Sequence, residues 1–418
     1  MKHLHKRFTL EQIKLLFSAY LKKRVSREDV QQELGIGKSR LFALLAQYRK
    51  NPDAFSIAYH RQTSTRISSQ TEQAIAEGLQ FDKQLIADPN VPITIYNYSA
   101  LKDRIREKHA LTVSLPTIIN RAKALDCYQQ KRPRTSHDRE VITTAIGALI
   151  QHDASLHLWS PYADTKWTLI TSLDDFSRLI LYADFVLSET TWVHIIAADT
   201  VITTYGFPLR YYVDQLRVFR FIQGRDSIWR KHVLQTDDVD PQWRQVMRMC
   251  GVDVIYALSP QAKGKIERSY RWMQDRIVRT CALEQIKTIE QGREILKKEV
   301  RRYNEQQVHS TTKEIPFLRF QKAKREGNSM FRPFSIPTPY LSTKDLFCLR
   351  EKRMVNSYHK VSLWNKEIFV PEVPLRDYVE IFIIPDKQRG VVDLRFWWNN
   401  QLVHTLLCPI ADFPSVHF

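Results

Sequence analysis

The sequence predicts a multidomain protein with an all-α N-terminal part, a central α/β core built on a mixed sheet, and a small β-barrel at the C-terminal end. Apolar residues recur at helical spacing up to about residue 130, whereas short apolar runs alternate with helical patterns between residues 140 and 325. After residue 340, five short runs separated by turn residues are typical of a small barrel. Proline-containing stretches at 131–136 and 332–339 separate these parts. We therefore predict domains over residues 1–60, 61–135, 140–325 and 340–418.

The charge of the chain favours a polyanionic partner. Its 418 residues contain 63 Lys and Arg against 45 Asp and Glu, a formal charge of +18, and residues 1–140 alone carry +11. Such an excess indicates nucleic acid as the first partner and an anionic membrane surface as the second, and the alternative is a basic enzyme with a well-solvated surface. With 43% apolar residues, the chain can bury several cores.

The sequence indicates neither a membrane protein nor an oxidising compartment. No stretch reaches the roughly 18 uncharged apolar residues that span a bilayer, and the N-terminus lacks the apolar segment of a signal peptide. The five cysteines form no CxxC pair and are odd in number, so we interpret them as reduced thiols. We therefore predict a cytoplasmic, nucleoid-associated protein.

A helix-turn-helix pattern lies near the N-terminus. Ser26 and Asp29 form a capping box, Gly35 permits a left-handed turn, and a second helix follows from about residue 38 to residue 48. The first residues of the second helix in such a unit face base edges, which assigns DNA contacts to Lys38, Ser39 and Arg40. The alternative is an ordinary helical hairpin with exposed charges.

A second pair of helices follows the first. Residues 98–108 form an amphipathic pattern, and residues 115–125 form another, with Ser114 as its N-cap. The candidate DNA contacts here are basic residues of the second helix and of the linker after it, namely Arg121, Lys123, Arg132 and Arg134. Two tandem helix-turn-helix units would read a long DNA site.

The central segment predicts three strands, a helix, two further strands and a long helix. Short loops between the first three strands indicate antiparallel hairpins, and the helix over residues 191–205 ends at Gly206. The predicted strands cover residues 149–153, 167–175, 179–183, 209–214 and 252–256. This order predicts a mixed sheet rather than a doubly wound one.

Three acidic residues stand where the elements of this core would meet. Asp153 and Asp214 each end an apolar strand, and Glu267 borders the apolar stripe of the long helix, which is formed by Ile266, Tyr270, Met273 and Ile277. Converging carboxylates repel one another unless hard cations lie between them, and Mg²⁺ prefers carboxylate oxygen. The three acids therefore predict two Mg²⁺ ions, replaceable by Mn²⁺, which would serve an in-line phosphoryl transfer.

Basic residues lie on both sides of Glu267. Lys263 and Arg271, four residues before and after it, share its helix face. Any one such acid is most often a salt-bridged surface group, but its combination with two strand ends favours a catalytic role. We therefore assign phosphate contacts beside the metal ions to Lys263, Lys265, Arg268 and Arg271.

These motifs resemble the catalytic core of DDE transposases and retroviral integrases, which has a ribonuclease H-like fold. The matching stretches are residues 152–155, 169–178, 212–214 and 259–268, and the chain is most similar to bacterial insertion-sequence transposases with an integrase-type core. The resemblance is good over residues 140–320 and looser in the helical arms and the tail. It implies that Asp153, Asp214 and Glu267 form the acidic triad, and that a structural role belongs to Asp174, Asp175 and Arg178.

Two features depart from the retroviral pattern. The spacing between Asp214 and Glu267 is longer, and the extra length falls around residues 215–243, which we interpret as an insertion that contacts DNA. His3 and His5 have no paired cysteines, so the helix-turn-helix arm replaces the N-terminal zinc module of those integrases.

The leading interpretation is a transposase that cuts DNA at the ends of a mobile element and joins them to target DNA. The alternatives are a transposase-derived regulator that binds DNA without chemistry, and a metal nuclease of the same fold that acts on RNA–DNA hybrids. The intact triad favours the enzyme, and the helix-turn-helix arms disfavour the nuclease. Because one triad processes one end at a time, we expect a homo-oligomer on double-stranded DNA. Nothing in the sequence indicates an ATPase helper.

Overall fold

The computed structural model describes residues 4, 7–57, 67–130, 143–213, 242–256, 264–364 and 366–413, without the side chains of residues 264–268. Contacts between these residues divide the chain into two compact units, Met1–Glu72 and Gln73–Phe418.

The N-terminal unit contains three helices around a small apolar core. They are α1 (Leu10–Leu21), α2 (Arg27–Leu34) and α3 (Lys38–Lys50). Ser26 and Asp29 form the predicted capping box at the start of α2, and Gly35 ends that helix with φ 62°, a left-handed conformation that glycine adopts without strain. The core comprises buried residues from all three helices and from the segment after α3, including Ile13, Phe17, Val30, Leu34, Leu41, Leu45 and Phe55.

Three further helices precede the sheet. They are α4 (Ser69–Ala87), α5 (Tyr98–His109) and α6 (Leu115–Ala124). The two predicted helices are confirmed, as is the cap, because the Ser114 side chain accepts a hydrogen bond from the Thr117 backbone. The Tyr98 hydroxyl donates to the Cys127 carbonyl at 2.9 Å and so joins α5 to the end of α6.

The predicted mixed sheet is confirmed. Its strands are β1 (Ile150–His157), β2 (Trp167–Asp174), β3 (Ile180–Val186), β4 (Arg210–Val213) and β5 (Asp253–Tyr256), in the spatial order β3-β2-β1-β4-β5. β1, β2 and β3 pair antiparallel, whereas β4 is parallel to both β1 and β5. Among the described residues, five helices accompany the sheet: α7 (Thr191–Tyr205), α8 (Gln242–Met249), α9 (Gly264–Leu283), α10 (Ile289–Glu305) and α11 (Pro316–Arg325).

Helices cover both faces of this sheet. On one face α7 and α8 pack against Ile150 and Tyr211, and on the other α9 and α10 pack against Trp167 and Leu169. The predicted insertion at 215–243 lies mostly outside the described residues, but its last residue, Trp243, is fully buried on α8. That residue is therefore part of the core.

The C-terminal region consists of a short helix and six strands. Helix α12 (Thr343–Leu346) precedes β6 (Leu349–Met354), β7 (Lys360–Leu363), β8 (Lys366–Phe369), β9 (Tyr378–Asp386), β10 (Val391–Trp398) and β11 (Gln401–Pro409). The last five strands match the five predicted runs, and β6 was not predicted. The strands form a four-stranded antiparallel sheet, β11-β10-β9-β6, and a β7-β8 hairpin, which share one apolar core. The small barrel stays a prediction.

All five cysteines are buried and free. Burial raises the pKa of the Cys250, Cys281 and Cys348 thiols to about 12. No helix in the described part of the chain has both the length and the apolar character needed to cross a membrane.

Candidate active site

Asp153 lies on the face of the sheet that α9 covers. It pairs with Thr171 of β2, and side chains of directly paired residues share a face. On that face the Thr171 hydroxyl donates a 2.7 Å hydrogen bond to the hydroxyl of Tyr270 on α9. The side-chain amide of Gln274, also on α9, donates to the Ser155 hydroxyl of β1 at 3.4 Å. Helix α9 is therefore hydrogen-bonded to both strands beside Asp153.

The strand that carries Asp153 is longer than predicted. We predicted that it ends at Asp153, but β1 continues to His157 because the antiparallel pairing with β2 extends to the pair His157–Trp167. The parallel pairing with β4 includes only Ile150 with Tyr211 and Gln151 with Tyr212. Asp153 therefore lies in mid-strand, two residues beyond the last β1–β4 pair.

The other two predicted acids lie partly or wholly outside the described residues. Asp214 follows Val213, the last residue of β4, and is not described. Glu267 is the fourth residue of α9, but its side chain is not described. The stripe beside Glu267 packs as predicted, since Tyr270, Met273 and Ile277 are buried. Among the side chains that the structure describes, no group of three His, Cys, Asp or Glu residues could hold a metal ion.

A buried histidine pair lies behind Asp153, on the opposite face of the sheet. His152 Nε2 is 2.8 Å from Nδ1 of His194 on α7, and its Nδ1 is 2.9 Å from the Ser172 hydroxyl. The His152 ring also stacks on Trp243 of α8, with centroids 6.0 Å apart. These contacts join β1 to β2, α7 and α8. Sequence reasoning missed the pair; its only signal was a histidine in each of two apolar segments.

Asp174 and Asp175, at the end of β2, have the structural role that the sequence analysis gave them. Asp174 accepts hydrogen bonds from the backbone amides of Gly147 and Ser177, both at 2.8 Å, and from the Ser177 hydroxyl at 2.5 Å. Asp175 accepts a hydrogen bond from Arg178 at 2.9 Å. Burial raises the pKa of Asp174 to about 6. Both acids bind donors of the chain itself.

The predicted DNA contacts fall into two groups. Those that the structure describes are at least partly exposed: Lys38, Ser39 and Arg40 open α3, Lys123 and half-buried Arg121 lie on α6, and Arg271 lies on α9. Outside the described residues or side chains are Arg132, Arg134, Lys263, Lys265 and Arg268.

Sequence comparison finds two bacterial proteins similar to this chain. One is "Putative transposase y4bF" of Sinorhizobium fredii, 26% identical over 306 residues, or 72% of this chain. The other is "Transposase for insertion sequence IS1202" of Streptococcus pneumoniae, 26% identical over 269 residues, or 63% of this chain. The chain is similar to these bacterial transposases over about two thirds of its length. The resemblance to insertion-sequence transposases is thereby confirmed.

The chain matches only part of each of those proteins, 61% of the first and 51% of the second. No family model matches it.

The chain is also similar to solved structures of integrases, among them two catalytic core domains. The catalytic core domain of BIV integrase is 15% identical, with a TM-score of 0.31, and covers 43% of this chain and 98% of that one. The HTLV-2 integrase catalytic core domain in complex with magnesium is 14% identical, with the same TM-score and the same coverage. TM-scores this low do not establish a shared fold, so the fold of the core rests on its own strands and helices.

Proposed function

We propose that this chain is a transposase that cuts DNA at the ends of a mobile element and joins those ends to target DNA. The observation that carries the proposal is the position of Asp153. It lies on the sheet face covered by α9, the helix that contains Glu267, and on the strand that pairs with β4, after which Asp214 follows. The transposase relatives support the same activity.

The strand register supports a convergence of the acids. The parallel pairing of Gln151 with Tyr212, extended by two residues on each strand, would place position 214 beside position 153. On α9, Glu267 precedes Tyr270 by three residues, a spacing that puts the two on neighbouring parts of the helix surface. Because Tyr270 is hydrogen-bonded to the partner of Asp153, this surface faces the same site.

The donor set of Asp153, Asp214 and Glu267 fits divalent metal ions. Three carboxylates offer the hard oxygen ligands that Mg²⁺ prefers. A pair of Mg²⁺ or Mn²⁺ ions, when bound, would polarise the attacking and leaving oxygens of a phosphoryl transfer. The chain would have to hold the DNA phosphate in line with the carboxylates. The basic residues of α9 and of the position just before it would do so, namely Lys263, Lys265, Arg268 and Arg271.

DNA recognition is assigned to the helical arms. The α2–Gly35–α3 unit would act as a helix-turn-helix that reads element ends through Lys38, Ser39 and Arg40. Helices α5 and α6 would form a second unit, with Arg121 and Lys123 on α6 and with Arg132 and Arg134 in the linker. The same proposal includes a ribonuclease H-like core, a C-terminal barrel and the four predicted domains. It also includes a homo-oligomer on double-stranded DNA and a location on nucleoid DNA in the cytoplasm.

Nick mapping tests this function directly. The purified full chain is incubated with duplexes carrying candidate element ends, in Mg²⁺, in Mn²⁺ or in chelator, and the products are mapped at nucleotide resolution. Metal-dependent nicks at the element boundary and joined products are expected. Specific binding without any nick in either metal would contradict the transposase activity. It would favour the alternative, a catalytically silent DNA-binding regulator.

A further inference from the structure

An ion-pair cluster joins α5 to the core helices α9 and α10; its arginines are buried, whereas Asp103 and Glu107 of α5 are partly exposed. The Asp103 carboxylate of α5 lies 2.7 Å from the Arg276 guanidinium of α9 and 3.7 Å from that of Arg302 on α10. Glu107, one turn later on α5, also binds Arg302. Glu299 of α10 completes the cluster, 3.5 Å from Arg302. The two arginines and Glu299 are each less than one-tenth exposed, so these charges stabilise one another within the protein.

A second cluster, built on Asp82 of α4, lies beside the first. This aspartate is 1% exposed and lies 3.2 Å from Arg104 of α5 and 3.2 Å from Arg279 of α9. Arg104 also donates to the Gly78 carbonyl at 3.0 Å, where a Cβ would lie 2.3 Å from Leu101 of α5. A larger residue at this position would push the end of the Leu101 side chain aside, so glycine suits the close approach of α4 and α5.

Apolar contacts reinforce this arrangement. Leu85 of α4, with Val91 and Ile93 after it, packs against Val278 and Ala282 of α9. Helices α4 and α5 are thus fixed to the C-terminal half of α9 by apolar contacts and buried charges together. Buried ion pairs tolerate little displacement, because separating them leaves an uncompensated charge in the interior.

Helix α9 is continuous between this interface and Glu267. At a rise of about 1.5 Å per residue, the nine residues from Glu267 to Arg276 span about 14 Å. An unbroken helix transmits a shift at one end to the other, so the position of α5 and the position of Glu267 are mechanically linked.

We propose that Asp103 is a positioning residue, which through Arg276 and Arg302 fixes the distance between the α5–α6 unit and the catalytic acids and so determines which phosphate of the DNA is cut. The inference rests on the proposed function, in which α6 contacts the DNA and Glu267 serves the chemistry. Asp103 itself acts only through the two arginines.

The test compares nick positions for the full chain and its variants on one element end. Asp103→Asn keeps the side-chain size but removes the charge, and Asp103→Glu keeps the charge. The matched control is Glu294→Gln, which breaks a 2.7 Å pair with Lys297 on the surface of α10, where both side chains are 71% exposed. Exposed pairs of this kind contribute little to structure.

For Asp103→Asn we expect the end-DNA affinity to stay within about threefold of the unsubstituted chain. Cutting at the normal phosphate should fall by about 10²-fold and reappear at neighbouring phosphates, because small displacements of reacting groups cost about that factor. Asp103→Glu and Glu294→Gln should cut where the unsubstituted chain cuts.

Three results would overturn the inference. The first is a normal nick at the normal yield from Asp103→Asn, and the second is a lower yield at the normal phosphate with no displaced nicks, which would indicate a merely structural role. The third applies if thermal melting shows that Asp103→Asn is unfolded. Glu107→Gln, whose carboxylate is more exposed, then takes its place, and a nick at the normal phosphate from that variant would overturn the inference. Failure of the proposed function is distinct, since the unsubstituted chain would then make no nick at all.

Discussion

Asp153 and Asp174 lie on neighbouring strands of one sheet, each as an acid in or at the end of an apolar run, yet their surroundings differ. Asp174 is fully buried and accepts three hydrogen bonds from Gly147 and Ser177. Asp153 is half-buried, in mid-strand, on the face covered by α9. The oxygens of Asp174 are occupied by donors of the chain, so that acid serves the fold. A carboxylate in a strand therefore identifies a site only when its neighbours are known.

The largest effect that this difference predicts is the loss of activity in Glu267→Gln, for which Asp174→Asn is the matched control. The amide keeps size and shape but loses the charge that would hold a metal ion, so cutting and joining should fall by several orders of magnitude, since positioning and electrostatics supply most of the catalysis in phosphoryl transfer. DNA affinity should persist. Rates are measured on element-end duplexes, per folded molecule. Near-normal joining by Glu267→Gln, or an equal loss in Asp174→Asn, would contradict the assignment.

The same comparison predicts a pH dependence of stability. The pKa of Asp174 rises from 3.8 in the unfolded chain to about 6 in the folded one, so the folded chain binds this proton more tightly. Its contribution is fully present below about pH 4 and is lost as the pH rises through about 6, a total of about 3 kcal/mol. Urea denaturation at a series of pH values measures it. The free energy of unfolding of Asp174→Asn should lack this pH-dependent contribution. If that free energy had the same slope against pH in both proteins, the raised pKa of Asp174 would be contradicted.

Ser177→Ala tests how much one hydrogen-bond donor stabilises the buried Asp174 carboxylate. It removes the hydroxyl that donates to Asp174 at 2.5 Å, so the buried carboxylate loses one of its three hydrogen bonds. The expected cost is about 1 to 2 kcal/mol in the free energy of unfolding at pH 7. Exposed Ser188→Ala is the control and should change nothing. A Ser177→Ala protein as stable as the control would show that the hydroxyl is dispensable.

The distinction between buried and exposed charges extends to the arginines. Arg104 is paired with Asp82 inside the fold, whereas Arg40 is exposed at the start of α3. Arg40→Gln should weaken binding to the element end by about 1 to 2 kcal/mol if it contacts a guanine, and should leave stability unchanged. Arg49→Gln, at the exposed end of the same helix, is the control. Anisotropy titrations measure the affinity of each variant for specific and scrambled duplexes. An equal loss of affinity for both duplexes would show that Arg40 reads no base.

Local patterns predicted most of the fold. The helix over residues 191–205 was predicted at both ends, and the structure adds the reason for its start, since the Thr190 side chain caps it and Gly206 terminates it. Strand β6 was missed because its sequence, Leu349–Met354, carries four charged residues at the edge of its sheet. The extension of β1 was missed because pairing with β2, not the β1 sequence, determines where that strand ends.

The candidate site was predicted less completely than the fold. The sequence analysis singled out Asp153 and the stripe on α9, and Asp153 lies on the sheet face that the buried stripe residues cover. The cluster around Asp103 could not be predicted, because its partners Arg276 and Arg302 are far away in sequence and no periodicity relates them. Its only local signal was a pair of acids, Asp103 and Glu107, one turn apart in an otherwise basic helix. The roles of Asp153, Asp214 and Glu267 stay predictions.

The burial of every cysteine has a practical consequence for labelling. Thiols react as thiolates, and the raised pKa values of Cys250, Cys281 and Cys348 leave almost none of that form at neutral pH. A cysteine introduced at an exposed position away from the proposed DNA contacts, such as Ser188→Cys between β3 and α7, would therefore react with a maleimide dye far faster than the native thiols. Fluorophores could then be attached site-selectively without first building a cysteine-free background, and the approach of two DNA ends could be followed in real time by energy transfer between labelled copies.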